Sequence, residues 1–277
     1  MRLSWLSLPF TTGAVLADAL DDRSTAVQMT AAILAWAAWT IVVLGLLVRR
    51  PVALTLLRIV APLAFVWCLV AAVDAGRGAS GLALTGLTVV IAFLPETGAW
   101  LINGAAYGYE RRYPLRAPGA VLAGPVELSW LFLATAVTAG PMLLAARQWV
   151  LGGAALAIGV PAVVLMGRAL HALSMRWVVL VPAGLVLKDH VTILDPVLFQ
   201  RGDIESLQAA PADTAALDLT ARSPGVAVEL RLREAVTLAL VRPRTQATTV
   251  HALSLFFTPT RPGALLADAG TRRIPIH

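Results

Sequence analysis

A chain of 277 residues that is 58% hydrophobic and only 14% charged, with a mean hydropathy of +0.77, is too apolar for an ordinary soluble domain, in which about a quarter of residues are charged. The net charge of +6 invites a nucleic-acid reading, but residues 1–176 carry 12 Arg against 7 acids while residues 177–277 carry 9 Arg, one Lys and 9 acids. The excess therefore lies in short connections between apolar stretches, where it signals topology rather than a phosphate-binding surface, and nucleic acid is excluded as a partner. The single cysteine, Cys68, excludes a disulfide framework and any multi-cysteine metal site.

Residues 3–20 come first, apolar but interrupted by Pro9 and Asp18, with one Arg ahead of them and only Ala17-Asp18-Ala19 resembling a cleavage site. This is a poor signal peptide, and residues 1–24 are read as an extracytoplasmic or interfacial segment. Five stretches then approach or exceed the roughly 20 apolar residues that cross a hydrocarbon core of about 30 Å: residues 25–48, 51–73, 81–102, 119–146 and 149–172. The first has no charge and stops at Arg49-Arg50-Pro51; the second starts on a proline suited to a first helical turn. Pro125, Pro141 and Pro161 interrupt the last two, as membrane helices allow when neighbours satisfy the freed carbonyls.

Orientation follows from the arginines. With the Arg49-Arg50 turn inside, the loop 103–118 with Arg111, Arg112 and Arg116 also falls inside, as does the tail entered through Arg176. The other side receives Arg2, Arg23, Arg77 and Arg147. Five spans then predict an inner-membrane protein with its N-terminus out and its C-terminus in.

Beyond residue 175 the pattern changes to short, partly alternating runs at 176–181, 184–188, 191–199, 204–208, 215–220, 226–233, 236–241 and 248–257. Within 226–233, alternation assigns Val228, Leu230 and Leu232 to a buried face, with Leu238 and Leu240 continuing it, and Glu229, Arg231 and Arg233 to a wet one. Turn residues punctuate the runs, and residues 264–272 read as a closing helix. The predicted fold class is thus an α-helical membrane bundle of about five spans over residues 25–175, followed by a small antiparallel β-barrel with a C-terminal helix over residues 176–277.

The order Arg-Trp-Val-Val-Leu-Val-Pro-Ala-Gly-Leu-Val-Leu at 176–187, then Asp203-Ile204-Glu205-Ser206-Leu207, then Phe256-Phe257-Thr258-Pro259 before a short helix, resembles the bacterial pleckstrin-homology-like (PH-like) domains. Those domains commonly follow membrane spans directly, which implies a cytoplasmic PH-like tail here. The whole chain is similar to actinobacterial multi-span membrane proteins of unassigned function, most distinctively in Asn-Gly-Ala-Ala-Tyr-Gly-Tyr-Glu-Arg-Arg at 103–112. Neither resemblance brings catalytic residues.

Few residues carry chemistry. The spelling Gly-Arg-Gly-Ala-Ser-Gly at 76–81 matches a dinucleotide loop, but no strand precedes it and a membrane span follows. His171, His190, His251 and His277 form no helical i, i+4 pair, and Asp203 with Glu205 reads as a turn and a strand edge. No catalytic residue, metal site or cofactor is expected. Ionisable residues inside spans are costly and mark function: Arg58, Glu96, Glu127, Arg168 and His171 fall in one cytoplasmic layer, with Arg58 and Glu127 the expected ion pair. The loop residues Tyr107, Tyr109, Arg111, Arg112 and Arg116 combine an aromatic belt with inside-positive charge and are the expected contact for anionic lipid, a partner or the tail. The sequence therefore predicts a binding or scaffolding component rather than an enzyme, with the bilayer and a protein in the membrane or cytoplasm as partners. The rival is a small transporter or membrane-embedded enzyme using the Arg/Glu layer.

Overall fold

The computed structural model describes residues 1–76, 78–122, 124–241 and 248–276. Its elements begin with α1 (Arg2–Leu6), α2 (Leu8–Leu20), α3 (Thr25–Val48), α4 (Pro51–Ala75), α5 (Ala79–Phe93) and α6 (Pro95–Asn103). There follow β1 (Arg111–Pro114), α7 (Gly119–Leu122), α8 (Pro125–Ala145) and α9 (Trp149–Ser174). The chain ends in β2 (Trp177–Val181), β3 (Gly184–Lys188), β4 (Val197–Gln200), β5 (Ile204–Ala209), β6 (Leu217–Asp218), β7 (Val228–Leu240), β8 (Thr248–Phe257) and α10 (Pro262–Thr271). Two compact units result, each built from two pieces of sequence: Met1–Gly104 with Pro125–His171, and Ala105–Gly124 with Ala172–His277.

The first unit is helical. Arg2–Leu20, Thr25–Val48, Pro51–Ala75, Leu128–Ala145 and Trp149–Ser174 are each long and apolar enough to cross a membrane, and the bent pair α5–α6 makes a sixth when counted as one span. This differs at two places from the expected set. Residues 2–20, expected as an interfacial segment, are long and apolar enough to cross and are tied to α3: Arg2 Nη2 donates to Leu46 O at 3.1 Å, Trp5 and Trp39 exchange indole-to-carbonyl hydrogen bonds at 3.1 and 3.0 Å, and Gln28 Nε2 donates to Leu20 O at 3.0 Å. Residue 2 thus stands level with 46, 5 with 39 and 20 with 28, so α1 and α2 run antiparallel to α3 along nearly its whole length. The helix breaks at Ser7, Pro9 sits in the first turn of α2 where its missing N–H costs nothing, and Asp18 lies near the end of α2.

The third expected span is broken. Leu94 leaves the helical region at ψ 138°, Pro95 starts α6, and the two helices meet at 62°. Even so, the pair follows α4 from end to end. A methyl group on Gly78 would meet Ala72, on Gly81 Cys68, on Gly86 Phe65, on Gly98 Leu54 and Arg58, and on Gly104 Arg49. The contacts march backwards along α4 without reversal, the path of a broken span rather than of a loop that turns back. The fourth span starts at Pro125, not 119, because Gly124 (φ +137°) stops the helix and α7 belongs to the other unit.

The second unit is strand-rich. One sheet has the order β1-β2-β3-β4 and the other β5-β7-β8-β6, each with four strands. They enclose one hydrophobic core that includes Val178, Leu187, Phe199, Leu230 and Phe257, with Leu265 and Ala269 of α10 buried in it. Val228, Leu230, Leu232, Leu238 and Leu240 are buried as the alternation requires. Two expectations fail. The strands form two separate sheets, with β6 parallel to β8, and no closed barrel exists among the described residues. Glu229, placed on the wet face by alternation, is buried: its carboxylate accepts from Thr214 Oγ1 at 3.0 Å and from Arg231 Nη2 at 3.5 Å. A register shift between Arg231 and Val236 joins two predicted strands into the single long β7.

Candidate functional site

The expected intramembrane layer resolves into two contacts one turn apart on α4. Arg58 reaches the α5–α6 break, where its Nε donates to Ala92 O at 3.4 Å and its guanidinium lies 5.4 Å from the centre of the Phe93 ring. Thr97 Oγ1 donates to Ile91 O at 2.7 Å. A helix that ends inside a membrane leaves its last carbonyls short of partners; Thr97 adds a donor to Ile91 O beside the 3.3 Å bond from Leu94 N, and Arg58 supplies one to Ala92 O. Three residues before Arg58, Thr55 Oγ1 pairs with His171 Nδ1 at 2.8 Å, tying α4 to the end of α9.

Of the other predicted members, Glu96 lies exposed in the first turn of α6, where a carboxylate complements the helix N-terminus. Arg168 is exposed on α9, nearly one turn before His171. The side chain of Glu127, the expected partner of Arg58, lies outside the described residues, as do Arg77 and His277. No described carboxylate stands within ion-pair distance of Arg58. The arrangement can bind backbone oxygens, and its one hydroxyl–imidazole contact, Thr55 with His171, joins two helices. No group of three metal-ligating side chains occurs among the described residues.

The second predicted cluster, the loop after α6, does something the sequence did not reveal: it supplies a strand. Residues 111–114 pair antiparallel with β2, Arg111 opposite Leu180 and Pro114 opposite Trp177. Its arginines are engaged. Arg111 Nε lies 3.2 Å from Asp268 Oδ2, and Tyr113 OH donates a very short hydrogen bond to the same oxygen. Arg112 Nη2 sits 3.0 Å from Glu110 Oε2, with its guanidinium 5.4 Å above the Trp177 ring. Arg116 offers its carbonyl to Arg176 Nη1 at 2.8 Å, while its own Nε is buried without a hydrogen-bond partner among the described residues. The most open members are aromatic, Tyr107 at 88% and Tyr109 at 85% exposed, while Arg111 also stays exposed beside Asp268.

These contacts set the local electrostatics. Burial raises Asp268, but the hydrogen bonds from Tyr113 and Arg111 outweigh it and leave the carboxyl below the usual range. Burial and the neighbouring Asp268 carboxylate push the Tyr113 phenol above its ordinary value. The Tyr107 backbone N–H, with Arg112, holds Glu110 low.

Arg176, read from sequence as a charge at the mouth of the tail, is instead fully buried. It grips Asp189 through two bonds, Nε–Oδ1 at 2.6 Å and Nη2–Oδ2 at 2.7 Å, and the two side chains are 1% and 0% exposed. Asp189 also accepts from Val191 N at 3.1 Å and Thr192 Oγ1 at 2.9 Å. The spacing of an Arg and an Asp thirteen residues apart, flanking a hairpin, was the only sequence signal for this pair. No protein-family model, curated protein or solved structure matches the chain.

Proposed function

We propose that the chain is a multi-pass protein of a bacterial plasma membrane whose strand-rich unit, a PH-like domain with one strand inserted from a membrane loop, faces the cytoplasm and acts as a binding or scaffolding module. The observation that carries this reading is the make-up of the unit: two segments flanking α8 and α9 fold together, so both lie on one side of the bilayer and the chain between them crosses an even number of times. The arginines of the Arg49-Arg50 turn and of loop 103–118 argue that this side is the cytoplasm. Counting residues 2–20 as a crossing revises the N-terminus-out expectation: the N-terminus joins the cytoplasmic side, and Arg2 then obeys the inside-positive rule.

Support for the PH-like reading comes from two four-stranded sheets closed over one core by a C-terminal helix; support for a binding role comes from Tyr107 and Tyr109, two exposed rings four and six residues beyond the end of α6. A photoreactive residue at Tyr107 should cross-link to lipid or to a second protein in cells, whereas the same probe at the buried Tyr113 should give only intramolecular products. Reporters at both termini should be active only in their cytoplasmic form, and one in the Arg147 turn only in its exported form. Export of the N-terminal reporter would overturn the six-crossing topology, and a silent probe at Tyr107 would remove the binding surface.

A second reading draws on the break at Leu94-Pro95. Discontinuous helices beside a buried cation are where transporters bind substrate, so a small transporter using Arg58 is the alternative; it requires Arg58→Met to abolish a transport activity in a protein that still folds.

A further inference from the structure

The helical unit holds a cleft of about 1870 Å³ bounded by α2, α3, α4 and α8. This is larger than the roughly 300–1,000 Å³ typical of small-molecule pockets. Its lining runs along residues 27–39 of α3, 60–74 of α4 and 131–143 of α8. At 1.5 Å per residue these stretches are roughly 18–21 Å long, so the cleft runs lengthwise through more than half of a hydrocarbon core about 30 Å thick. The walls are set back because their side chains are small: Gly13 and Ala17 on α2 and Ala35 and Ala38 on α3 all line it. A methyl group added at Gly13 would meet no atom within 4 Å.

The two ends of the cleft differ. At depth it is lined by Trp39, Val60 and Leu131, whereas its mouth, at the end of the bundle remote from the Arg49-Arg50 turn, carries Asp21, Asp22, Asp74 and Arg23. All four of these charged residues are exposed. An occupant must therefore be a long apolar body ending in a head that carries one negative group and at least one positive group. The phosphate of a zwitterionic phospholipid suits Arg23, and its ammonium suits the neighbouring carboxylates; an anionic lipid, with no cation to offer, leaves the three carboxylates that line the mouth without a counter-charge from the ligand.

We propose that this cleft is a binding site for an amine-bearing phospholipid of the leaflet opposite the Arg49-Arg50 turn, its acyl chains lying between α3 and α8 and its headgroup held by Arg23 and Asp21, Asp22 and Asp74. The inference requires the helices to be membrane-embedded and is independent of what the strand-rich unit binds.

Native mass spectrometry of the full chain in detergent, titrated with synthetic phosphatidylethanolamine or phosphatidylglycerol, tests it. The protein should retain one phosphatidylethanolamine about fivefold better than phosphatidylglycerol, the range expected for exposed charge pairs. Gly13→Phe with Ala35→Phe, which fills the cleft, should lower retention of both lipids about tenfold with no loss of melting temperature. Asp21→Asn, Asp22→Asn and Asp74→Asn together should keep the acyl chains bound and erase the headgroup preference. Equal retention of the two lipids by the unaltered chain overturns the proposal, as does undiminished retention in the filled variant. So does a disulfide formed between copies through a cysteine placed at Ala35, which would make the occupant a second helix. If the filled variant does not fold, the carboxamide variant alone decides: an unchanged preference overturns the headgroup assignment.

Discussion

In the helical unit Arg58 reaches a backbone carbonyl and the face of a phenylalanine, whereas in the strand-rich unit Arg176 closes a doubly bonded ion pair with Asp189, sealed from solvent. The difference follows from what each environment leaves unsatisfied. A bilayer offers no water to a broken helix, so the groups in need of partners are carbonyls such as those of Ile91 and Ala92, and donors are recruited to them. A water-exposed unit has no shortage of partners at its surface, and a charge enters its interior only with a counter-charge and a full set of hydrogen bonds. The Asp189 carboxylate meets that condition with Arg176, Val191 and Thr192.

The largest effect that can break this comparison lies in the pair. Arg176→Ala leaves the Asp189 carboxylate buried and uncompensated, which costs about 3–5 kcal/mol. Amide hydrogen exchange of β2 and β3 in the full chain should report loss of the strand-rich unit at lower temperature or denaturant. Arg176→Met with Asp189→Leu should recover part of the loss, since the bonds to Arg116 O and to the 191–192 turn are still missing. A single mutant as stable as the parent would mean that the pair is not closed in solution.

A smaller loss is expected at the break. Thr97→Val keeps the shape of the side chain and removes the donor to Ile91 O, a change worth roughly 0.6–2 kcal/mol for hydrogen bonds in membranes. The melting temperature in detergent should fall modestly, with the strand-rich unit unaffected. A loss as large as that of Arg176→Ala would erase the contrast between the units.

The smallest effect concerns Asp268, whose carboxyl sits below its ordinary range when folded. A depressed folded value means that the contribution is present above the unfolded value near 4 and is lost as pH falls through the folded one. Asp268→Asn should therefore cost about 0.5–1 kcal/mol at pH 7, and the two proteins should converge in melting temperature as the pH drops below about 4. Parallel curves at all pH values would show that the contact with Tyr113 and Arg111 does not depend on the charge.

How much of this was legible in the sequence varied with the range of the contacts. The ends of α3, β3 and β8 coincide with the patterns that announced them, because each is written in uninterrupted hydropathy or alternation. The buried row from Val228 to Leu240 was legible for the same reason. Residues 111–114 were not, since Arg-Arg-Tyr-Pro has no alternation and its partner lies more than 60 residues away; charge and aromaticity pointed to a membrane rim instead. At residues 2–20 Pro9 marks the break between α1 and α2 at Ser7, while the bonds of Arg2, Trp5 and Leu20 to α3 leave no pattern in the sequence. At the candidate site, Arg58 and His171 lie on the predicted α4 and α9, but their partners are Ala92 O and Thr55, and no side-chain pattern encodes a freed backbone carbonyl.

The inserted strand also imposes an order in time. When β1 leaves the ribosome its partner does not yet exist: residues 115–176 must follow, which takes about 3–12 s at ordinary synthesis rates of 5–20 residues per second. During that interval α8 and α9 have to enter the bilayer as a hairpin. If they insert with both ends on the side of β1, β2 arrives within reach and the sheet closes; if only one of them inserts, β1 and β2 are stranded on opposite faces and the first sheet is left without its edge strand. Completion of the first sheet is thus conditional on insertion of both helices of the hairpin, and a misinserted chain would leave the free edge of β2 exposed.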